Sequence, residues 1–250
     1  MALIAAALFT LSSLGSQSQV TAPQTQLTDT AHPTPYPQRA QDWPGRGVIR
    51  VFEWMDDNRR YFWRERDHKQ GSVVFAGDSL VALWKSLPED LPALRIANRG
   101  IGGDVSRGLL FRFREDVLAL NPKAVVILIG TNDLTARQPA ADTIVNVDAM
   151  LRLRDVQRPA TPVVLCTVPP SANDKAPVDA HQRRRLNEGL YELAATHERV
   201  AVVDLFAATT APDGAPDSHL FKPDRLHLTS EGYARWKAAL LPVLRAQGVL

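Results

Sequence analysis

Short apolar runs alternate with helix-like segments along this chain, and that alternation limits its fold more than any other feature. The segments between the runs carry apolar residues at three- and four-residue spacing, which is the period of an amphipathic helix. Strands that alternate with helices are joined by right-handed crossovers, so the strands lie parallel and both faces of the sheet are covered. The sequence therefore predicts an α/β fold with a parallel sheet. The predicted strands are residues 73–76, 94–97, 124–129, 163–168 and 200–203, and the predicted helices between them are 105–120, 140–154 and 180–197.

Two further helices are predicted outside this alternating region. The final helix is expected to begin near Thr229. The first is predicted from a near-helical spacing of apolar residues that ends at Gly71, and Trp54 and Trp63 are expected to widen its buried face. The spaced residues are Val48, Val51, Phe52, Met55 and Phe62.

The N-terminal end differs in composition from the rest of the chain. Ala2–Phe9 is a continuous apolar stretch, too short to span a bilayer, which needs roughly 20 apolar residues. We interpret residues 1–20 as a signal peptide that exports the protein to the periplasm or the extracellular space, although no Lys or Arg precedes the apolar stretch. The alternative is an unstructured leader on a cytoplasmic protein. Residues 21–46 are rich in Gln, Thr, Pro and Ser and are predicted to be a disordered linker before a domain at 47–250.

Length and charge limit the possible partners. A chain of 250 residues, 45% of them hydrophobic, is long enough for one well-buried domain. Lys and Arg number 29 against 27 Asp and Glu, a net charge of +2, and these charges are interspersed, so we expect no nucleic-acid partner. Cys166 is the single cysteine and cannot form an internal disulfide. The sequence predicts no integral membrane span and leaves the oligomeric state open.

Four short polar blocks interrupt the apolar pattern. They are residues 77–80 (GDSL), 98–104 (NRGIGGD), 130–133 (GTND) and 224–227 (DRLH). The first three directly follow predicted strands. Because the carboxyl ends of parallel strands meet at one edge of a sheet, where ligands bind, we expect these three blocks to lie together.

Ser79, Asp224 and His227 have the chemistry of a nucleophile, an orienting carboxylate and a base. Ser79 lies where a predicted strand passes into a helix, a place where serine ordinarily caps the helix. Asp224 precedes His227 by three residues. An imidazole can accept a proton from a serine hydroxyl, and a carboxylate at its other ring nitrogen stabilises the imidazolium. The alternative for the last block is a surface loop with an exposed histidine.

The glycine-rich block and Asn132 can supply hydrogen-bond donors. Glycines leave the backbone N–H groups of residues 100–104 unobstructed, and the Asn132 amide follows a predicted strand. The alternatives are a simple turn or a phosphate-binding loop. The dinucleotide fingerprint fails because Val105 stands where a third glycine is needed, and no Walker lysine follows. Such donors can stabilise the oxyanion of an acyl-transfer reaction.

With all four blocks in this order, the chain resembles the SGNH or GDSL family of serine esterases and lipases, and most of all the branch that includes the platelet-activating-factor acetylhydrolases. The resemblance implies a flavodoxin-like three-layer α/β/α sandwich with a parallel sheet of about five strands. It implies no metal and no other cofactor. The implied catalytic residues are Ser79, Asp224 and His227, and the implied oxyanion hole consists of the N–H groups of Ser79 and Gly103 and the amide of Asn132.

The function expected from this resemblance is hydrolysis of carboxylic esters through an acyl-serine intermediate. The sequence has no long insertion that could form a lid, and residues 171–177 and 209–223 are expected to line an open cleft. We therefore expect a small-molecule ester substrate with a short acyl group, such as acetyl on a carbohydrate. The alternatives are a lysophospholipase or thioesterase acting on longer acyl chains, and a non-catalytic binding module.

Overall fold

The computed structural model describes residues 32–250. The predicted signal peptide at 1–20 and the first part of the predicted linker, 21–31, lie outside the described residues. Among the helices of residues 32–250, none is long and apolar enough to cross a membrane.

The centre of the fold is a five-stranded parallel sheet in the order β2-β1-β3-β4-β5. All residues of β1, β3 and β4 are buried, as continuous apolar runs predict for strands covered on both faces. The parallel sheet predicted from the sequence is confirmed. The strands are β1 (Val73–Gly77), β2 (Ile96–Gly100), β3 (Ala124–Leu128), β4 (Val163–Cys166) and β5 (Val200–Val203).

Helices cover both faces of this sheet. They are α1 (Glu53–Arg64), α2 (Ser79–Ala82), α3 (Leu87–Asp90), α4 (Ser106–Asp116), α5 (Thr131–Thr135), α6 (Ala140–Gln157), α7 (Ala180–Thr196), α8 (Leu205–Thr209) and α9 (Ser230–Ala246). Successive strand residues point to opposite faces, so Val73 and Phe75 pack on one side and Val74 and Ala76 on the other. Apolar residues of α2, α3, α8 and α9 pack on the first side, and those of α4, α6 and α7 on the second. This is the expected three-layer α/β/α sandwich.

Aromatic side chains fix α9 against the segment that carries Ser79. The ring of Trp84, just beyond α2, lies 4.9 Å from that of Trp236 and 5.2 Å from that of Tyr233. The Tyr233 hydroxyl donates a hydrogen bond of 2.9 Å to the carbonyl of Leu80. The N-terminus of α9 therefore keeps a fixed position relative to α2.

Helix α1 begins later than the sequence predicts. Residues 48–52 are not helical, and α1 starts at Glu53. Its buried face contains Met55, Phe62 and Trp63, whereas Trp54 is exposed. At about 100° of rotation per residue, Trp54 lies well to one side of the stripe that Met55 and Phe62 define. The prediction that Trp54 widens the buried face is therefore wrong.

Packed structure also begins before residue 47, within the range predicted as a linker. Tyr36 and Trp43 are buried and stack at 5.3 Å. The Arg107 guanidinium donates to four backbone carbonyls of this segment, those of Ala40, Trp43, Pro44 and Gly47. The composition of this range predicts a linker because large apolar residues are few. The rings of Tyr36 and Trp43 nevertheless bury enough surface to keep the segment packed.

Candidate active site

Ser79 lies at the carboxyl edge of the sheet, where the direction of the crossovers changes. The chain passes from β1 to β2 on one side and then to β3 on the other, so the boundary between β1 and β3 is the switch point at which open α/β sheets bind ligands. Ser79 opens α2 directly beyond β1, and Asn132 lies in α5 directly beyond β3. Gly77 is required at the end of β1, because an added Cβ would collide with the carbonyl of Leu128.

The cap of α2 is Asp78 and not Ser79. The Asp78 carboxylate accepts a hydrogen bond of 2.9 Å from the N–H of Leu80, two residues further on. The Ser79 side chain is therefore not needed as a helix cap, the role that its position alone favours.

Ser79, His227 and Asp224 instead form a hydrogen-bonded row. The Nε2 atom of His227 lies 2.9 Å from the Oγ of Ser79, although 148 residues separate them in the sequence. The Nδ1 atom lies 2.7 Å from Oδ2 of Asp224. The side chains of His227 and Asp224 are 23% and 40% exposed, so the row is open to a ligand from solvent. A hydroxyl, an imidazole and a carboxylate in this order can transfer a proton from serine to histidine.

A tight loop before α9 holds the histidine in place. The N–H of Lys222 donates to the carbonyl of His227 at 2.7 Å, and the N–H of Thr229 donates to that of Leu220 at 3.0 Å. Within the loop, Oδ1 of Asp224 accepts from the N–H of His227 at 2.9 Å. The aspartate thus fixes both the backbone and the ring of His227.

The same contacts keep Asp224 ionised. Partial burial on its own would raise the pKa of this carboxyl, but hydrogen bonds from the His227 ring and from the N–H groups of His227 and Leu226 outweigh it and hold the pKa below its usual value. A carboxylate that stays charged can stabilise the imidazolium formed when His227 accepts a proton.

Strand β2 begins two residues later than the predicted 94–97, at Ile96, and ends later, so that it includes the first three residues of the glycine-rich block. These residues, 98–100, pair with 75–77 of β1. Their polarity suggests a loop, but the side chains have partners: the Asn98 amide donates to the carbonyl of Val81 at 2.8 Å. The Arg99 guanidinium lies 4.6 Å from the centre of the buried Phe62 ring. Satisfied polar groups are compatible with a buried strand.

The remainder of that block forms a tight turn beside Ser79. The N–H of Asp104 donates to the carbonyl of Ile101 at 3.2 Å. Gly103 has a φ of +83°, a conformation that favours glycine. A Cβ added to Gly102 would lie 3.9 Å from the Cβ of Ser79. The turn therefore brings its backbone close to the Ser79 hydroxyl.

The Asn132 side chain meets this turn from the other side. Its Nδ2 donates to the carbonyl of Asp104 at 2.9 Å, which leaves the second N–H of the amide for a ligand. Its Oδ1 accepts from the guanidinium of Arg50 at 3.3 Å. No sequence pattern pointed to Arg50, because its contact with Asn132 spans 82 residues.

A buried arginine connects two of the segments that form the site. Arg112 is fully buried. It donates to the carbonyl of Gly77 at 3.1 Å and pairs with Asp104 at 2.8 Å and with Asp116 at 3.4 Å. One guanidinium therefore links the end of β1, just before Ser79, to the glycine turn.

Asp78 is an unusual neighbour of Ser79. Burial raises the pKa of its carboxyl to about 7, and within the described residues its Oδ2 has no hydrogen-bond partner. Asp133, another buried aspartate of the site, accepts from the hydroxyls of Ser106 and Thr143 and from the amide of Gln138.

Residues 32–250 contain no candidate metal site. Among residues 32–250, no three His, Cys, Asp or Glu side chains are grouped so that they could hold a metal ion. Cys166, at the end of β4, is buried, and burial raises the pKa of its thiol to about 12. A thiol in this state is neither a ready metal ligand nor a nucleophile.

The five-stranded parallel sheet lies between two helical layers, and Ser79 lies at its switch point. The fold is therefore of the three-layer α/β/α class, which includes hydrolases. The chain belongs to the GDSL-like lipase/acylhydrolase family, whose sequence pattern matches residues 70–235. The resemblance seen in the four polar blocks is therefore confirmed. The family acts on esters, so the chain is a member of a family of ester hydrolases.

Similar proteins include curated relatives and solved structures. The platelet-activating factor acetylhydrolase IB subunit alpha2 of Rattus norvegicus is 30% identical over 216 residues, which cover 82% of this chain and 87% of the relative. An acetylxylan esterase of Geobacillus stearothermophilus is 37% identical over 75 residues, 28% of this chain and 34% of the relative. The structure of a GDSL-like lipase from Bacteroides thetaiotaomicron matches with a TM-score of 0.63 and 26% identity, covering 72% of this chain and 90% of that one.

Proposed function

We propose that this protein is a serine esterase that hydrolyses short-chain carboxylic esters, with Ser79, His227 and Asp224 as its catalytic residues. The observation that carries the proposal is the row of contacts at 2.9 Å and 2.7 Å that runs from Ser79 through His227 to Asp224. Because Asp78 caps α2, this contact between distant parts of the chain has no evident structural purpose. It has the form of an activated nucleophile.

In the first step the Ser79 hydroxyl attacks the ester carbonyl while Nε2 of His227 accepts its proton. A free serine hydroxyl is almost fully protonated at neutral pH, so the attack depends on this transfer. The tetrahedral intermediate then collapses. The alcohol leaves with the proton from Nε2, and the acyl group remains on the Oγ of Ser79.

In the second step a water molecule takes the place of the alcohol. His227 accepts a proton from this water as the water oxygen attacks the acyl carbonyl. The bond to Oγ then breaks, and Ser79 recovers its proton from Nε2. The products are a carboxylic acid and the free enzyme, so no further reactant is required.

Three donors are proposed to hold the oxyanion that forms in both steps. They are the backbone N–H groups of Ser79 and Gly103 and the second N–H of the Asn132 amide. Each such donor typically contributes about 10²- to 10³-fold to kcat. The Arg50 guanidinium donates to Oδ1 of the same amide, and this contact should polarise the amide and strengthen its remaining N–H as a donor.

An acetyl or similarly short acyl group is the proposed acyl part of the substrate. The glycine turn lies close to Ser79, and the loop at 171–177 contacts the histidine loop through a bond of 3.1 Å from the N–H of Ala172 to the carbonyl of Arg225. The names of two relatives, an acetylhydrolase and an acetylxylan esterase, also support acetyl. The acetylxylan esterase supports a carbohydrate as the alcohol part.

A series of p-nitrophenyl esters tests the acyl length. We expect kcat/KM to be highest for acetate and to fall at least about tenfold by octanoate, which corresponds to roughly 1.4 kcal/mol of lost transition-state binding. The measurement is the initial rate of p-nitrophenol release at each chain length. A maximum at octanoate or longer, together with turnover of lysophospholipid or acyl-CoA, would instead establish the longer-chain alternative.

Export is proposed on the basis of the N-terminal composition. Ala2–Phe9 supplies an apolar core of the length found in signal peptides. On this proposal residues 1–20 direct the domain out of the cytoplasm, and the substrate is an ester met outside it.

A further inference from the structure

A stacked pair of exposed aromatic rings lies just before and within the start of α1. The rings of Phe52 and Trp54 are 4.5 Å apart and 15° from parallel, and these residues are 38% and 49% exposed. The other four tryptophans of the chain, Trp43, Trp63, Trp84 and Trp236, are buried. Exposed aromatic residues of this size in contact with each other commonly mark a binding surface.

This pair is continuous with the candidate active site. The Trp54 indole N–H donates a hydrogen bond of 2.9 Å to the carbonyl of Gly102, and the Phe52 ring lies against Gly103, where it would clash with an added Cβ. Gly102 in turn lies beside Ser79. The glycine turn therefore lies between a ligand on the indole ring and the proposed nucleophile, Ser79.

The indole is held in one orientation and keeps one face open. Phe52 covers one face of the ring, and the bond to Gly102 fixes its N–H edge. Half of the residue nevertheless remains accessible. A ring fixed in this way loses little conformational entropy when a flat ligand stacks on its open face.

The chemistry of this surface fits a sugar ring better than an alkyl chain. One face of a pyranose carries C–H groups that are attracted to the negative face of an aromatic ring, and its hydroxyl groups can remain in water, so no polar group is buried without a partner. An alkyl chain needs to be enclosed, and a single open ring face leaves most of it in water. Asp57 and Asn58 follow Trp54 by three and four residues, hence on the same side of α1. The Asp57 carboxylate can accept from sugar hydroxyls. The Asn58 Nδ2 already donates to the carbonyl of Trp54 at 2.7 Å, which leaves its Oδ1 to accept from a sugar hydroxyl.

We propose that the open face of Trp54, backed by Phe52, is a subsite for a neutral pyranose ring in the alcohol part of the substrate. This inference rests on the proposed function in one respect, namely that the sugar belongs to an ester that reacts at Ser79. Stacking of the sugar on Trp54 does not itself require a chemical step.

Sugar binding is tested without catalysis on the full chain carrying Ser79→Ala. The probes are unacetylated xylotetraose and cellotetraose, and the signal is tryptophan emission, in which Trp54 is the exposed contributor. We expect a saturable change with at least one probe. Its loss when Trp54→Phe removes the indole would show that the emission change comes from Trp54. No saturable change with either sugar overturns the proposal.

Kinetics separate stacking from a purely structural role of Trp54. The quantity is kcat/KM for acetylated xylotetraose divided by kcat/KM for ethyl acetate, which has no ring. Trp54→Ala is expected to lower this ratio roughly three- to tenfold, and Trp54→Phe, which keeps a ring but loses the bond to Gly102, to keep most of it. Tyr61→Ala, an equally exposed aromatic position about 10 Å further along α1, should leave the ratio unchanged.

The outcomes distinguish this inference from the proposed function. An unchanged ratio in Trp54→Ala, or an equal fall in Trp54→Phe, overturns the subsite, because it would assign Trp54 to holding the Gly102 turn. A saturable emission change in a protein that hydrolyses neither ester would contradict the proposed function and leave the sugar subsite standing.

Discussion

Ser79→Ala is expected to lower kcat for p-nitrophenyl acetate by about 10⁶-fold, the loss seen when the nucleophile of a serine protease is removed. The variant loses the oxygen that becomes acylated and that lies 2.9 Å from Nε2 of His227. The fold should be unaffected, because Asp78 and not Ser79 caps α2. The measurement is kcat together with the far-ultraviolet circular dichroism spectrum.

Ser86→Ala is the matched control for this variant. Ser86 lies seven residues further along and bonds Asp90 at 2.7 Å, away from His227, so its removal should leave kcat within about twofold, as is usual for a surface substitution. A second check is non-additivity: Ser79→Ala combined with His227→Ala should be no slower than either variant alone. A Ser79→Ala protein that retains kcat within tenfold of the parent would refute the assignment.

Arg112→Met is expected to lower the free energy of unfolding by about 3–5 kcal/mol, the usual cost of breaking a buried ion pair by removing one partner. Arg112 is fully buried and pairs with two buried carboxylates, Asp104 and Asp116. Removing the cation leaves Asp104 without its ion-pair partner and Asp116 with Arg59, at 3.5 Å, as its remaining partner, and the carbonyl of Gly77 loses a donor. Urea unfolding at pH 7 measures the change.

Arg152→Met is the control for that prediction. Arg152 also bonds a carboxylate, Asp148 at 2.7 Å, but its side chain is 71% exposed, so solvent screens the pair and little change is expected. The loss in Arg112→Met should shrink as the pH falls, because protonation removes the unpaired charge of the buried Asp104 carboxyl. Equal stability of the Arg112→Met variant and the parent at pH 7 would contradict the role given to this arginine.

Much of the fold and the placement of the site could be predicted from the sequence. Strands covered on both faces are continuous apolar runs, so β1 and β3 are visible directly. Parallel topology then brings the residues that follow them to one edge, which is why Ser79 and Asn132 were expected together. The approach of His227 to this edge was not dictated by topology. It followed from the resemblance of the four polar blocks to a known family.

Other features depend on contacts that no local pattern records. Arg50 meets Asn132 across 82 residues, and the segment at 32–46 packs because Tyr36 and Trp43 find a surface that only the folded chain provides. Trp54 illustrates a different limit. A large apolar residue near a helical stripe is normally part of the core, but Trp54 lies about 100° of rotation from Met55 and faces solvent.

The central claim is that the oxygen of Ser79 becomes covalently acylated because His227 takes its proton. The most direct test is intact-protein and peptide mass spectrometry after treatment with an alkyl fluorophosphonate, which forms a stable adduct with activated serines. We predict a single adduct on the peptide that contains Ser79, and its loss in His227→Ala. A folded parent protein that carries no adduct, or carries it on another residue, would contradict the claim.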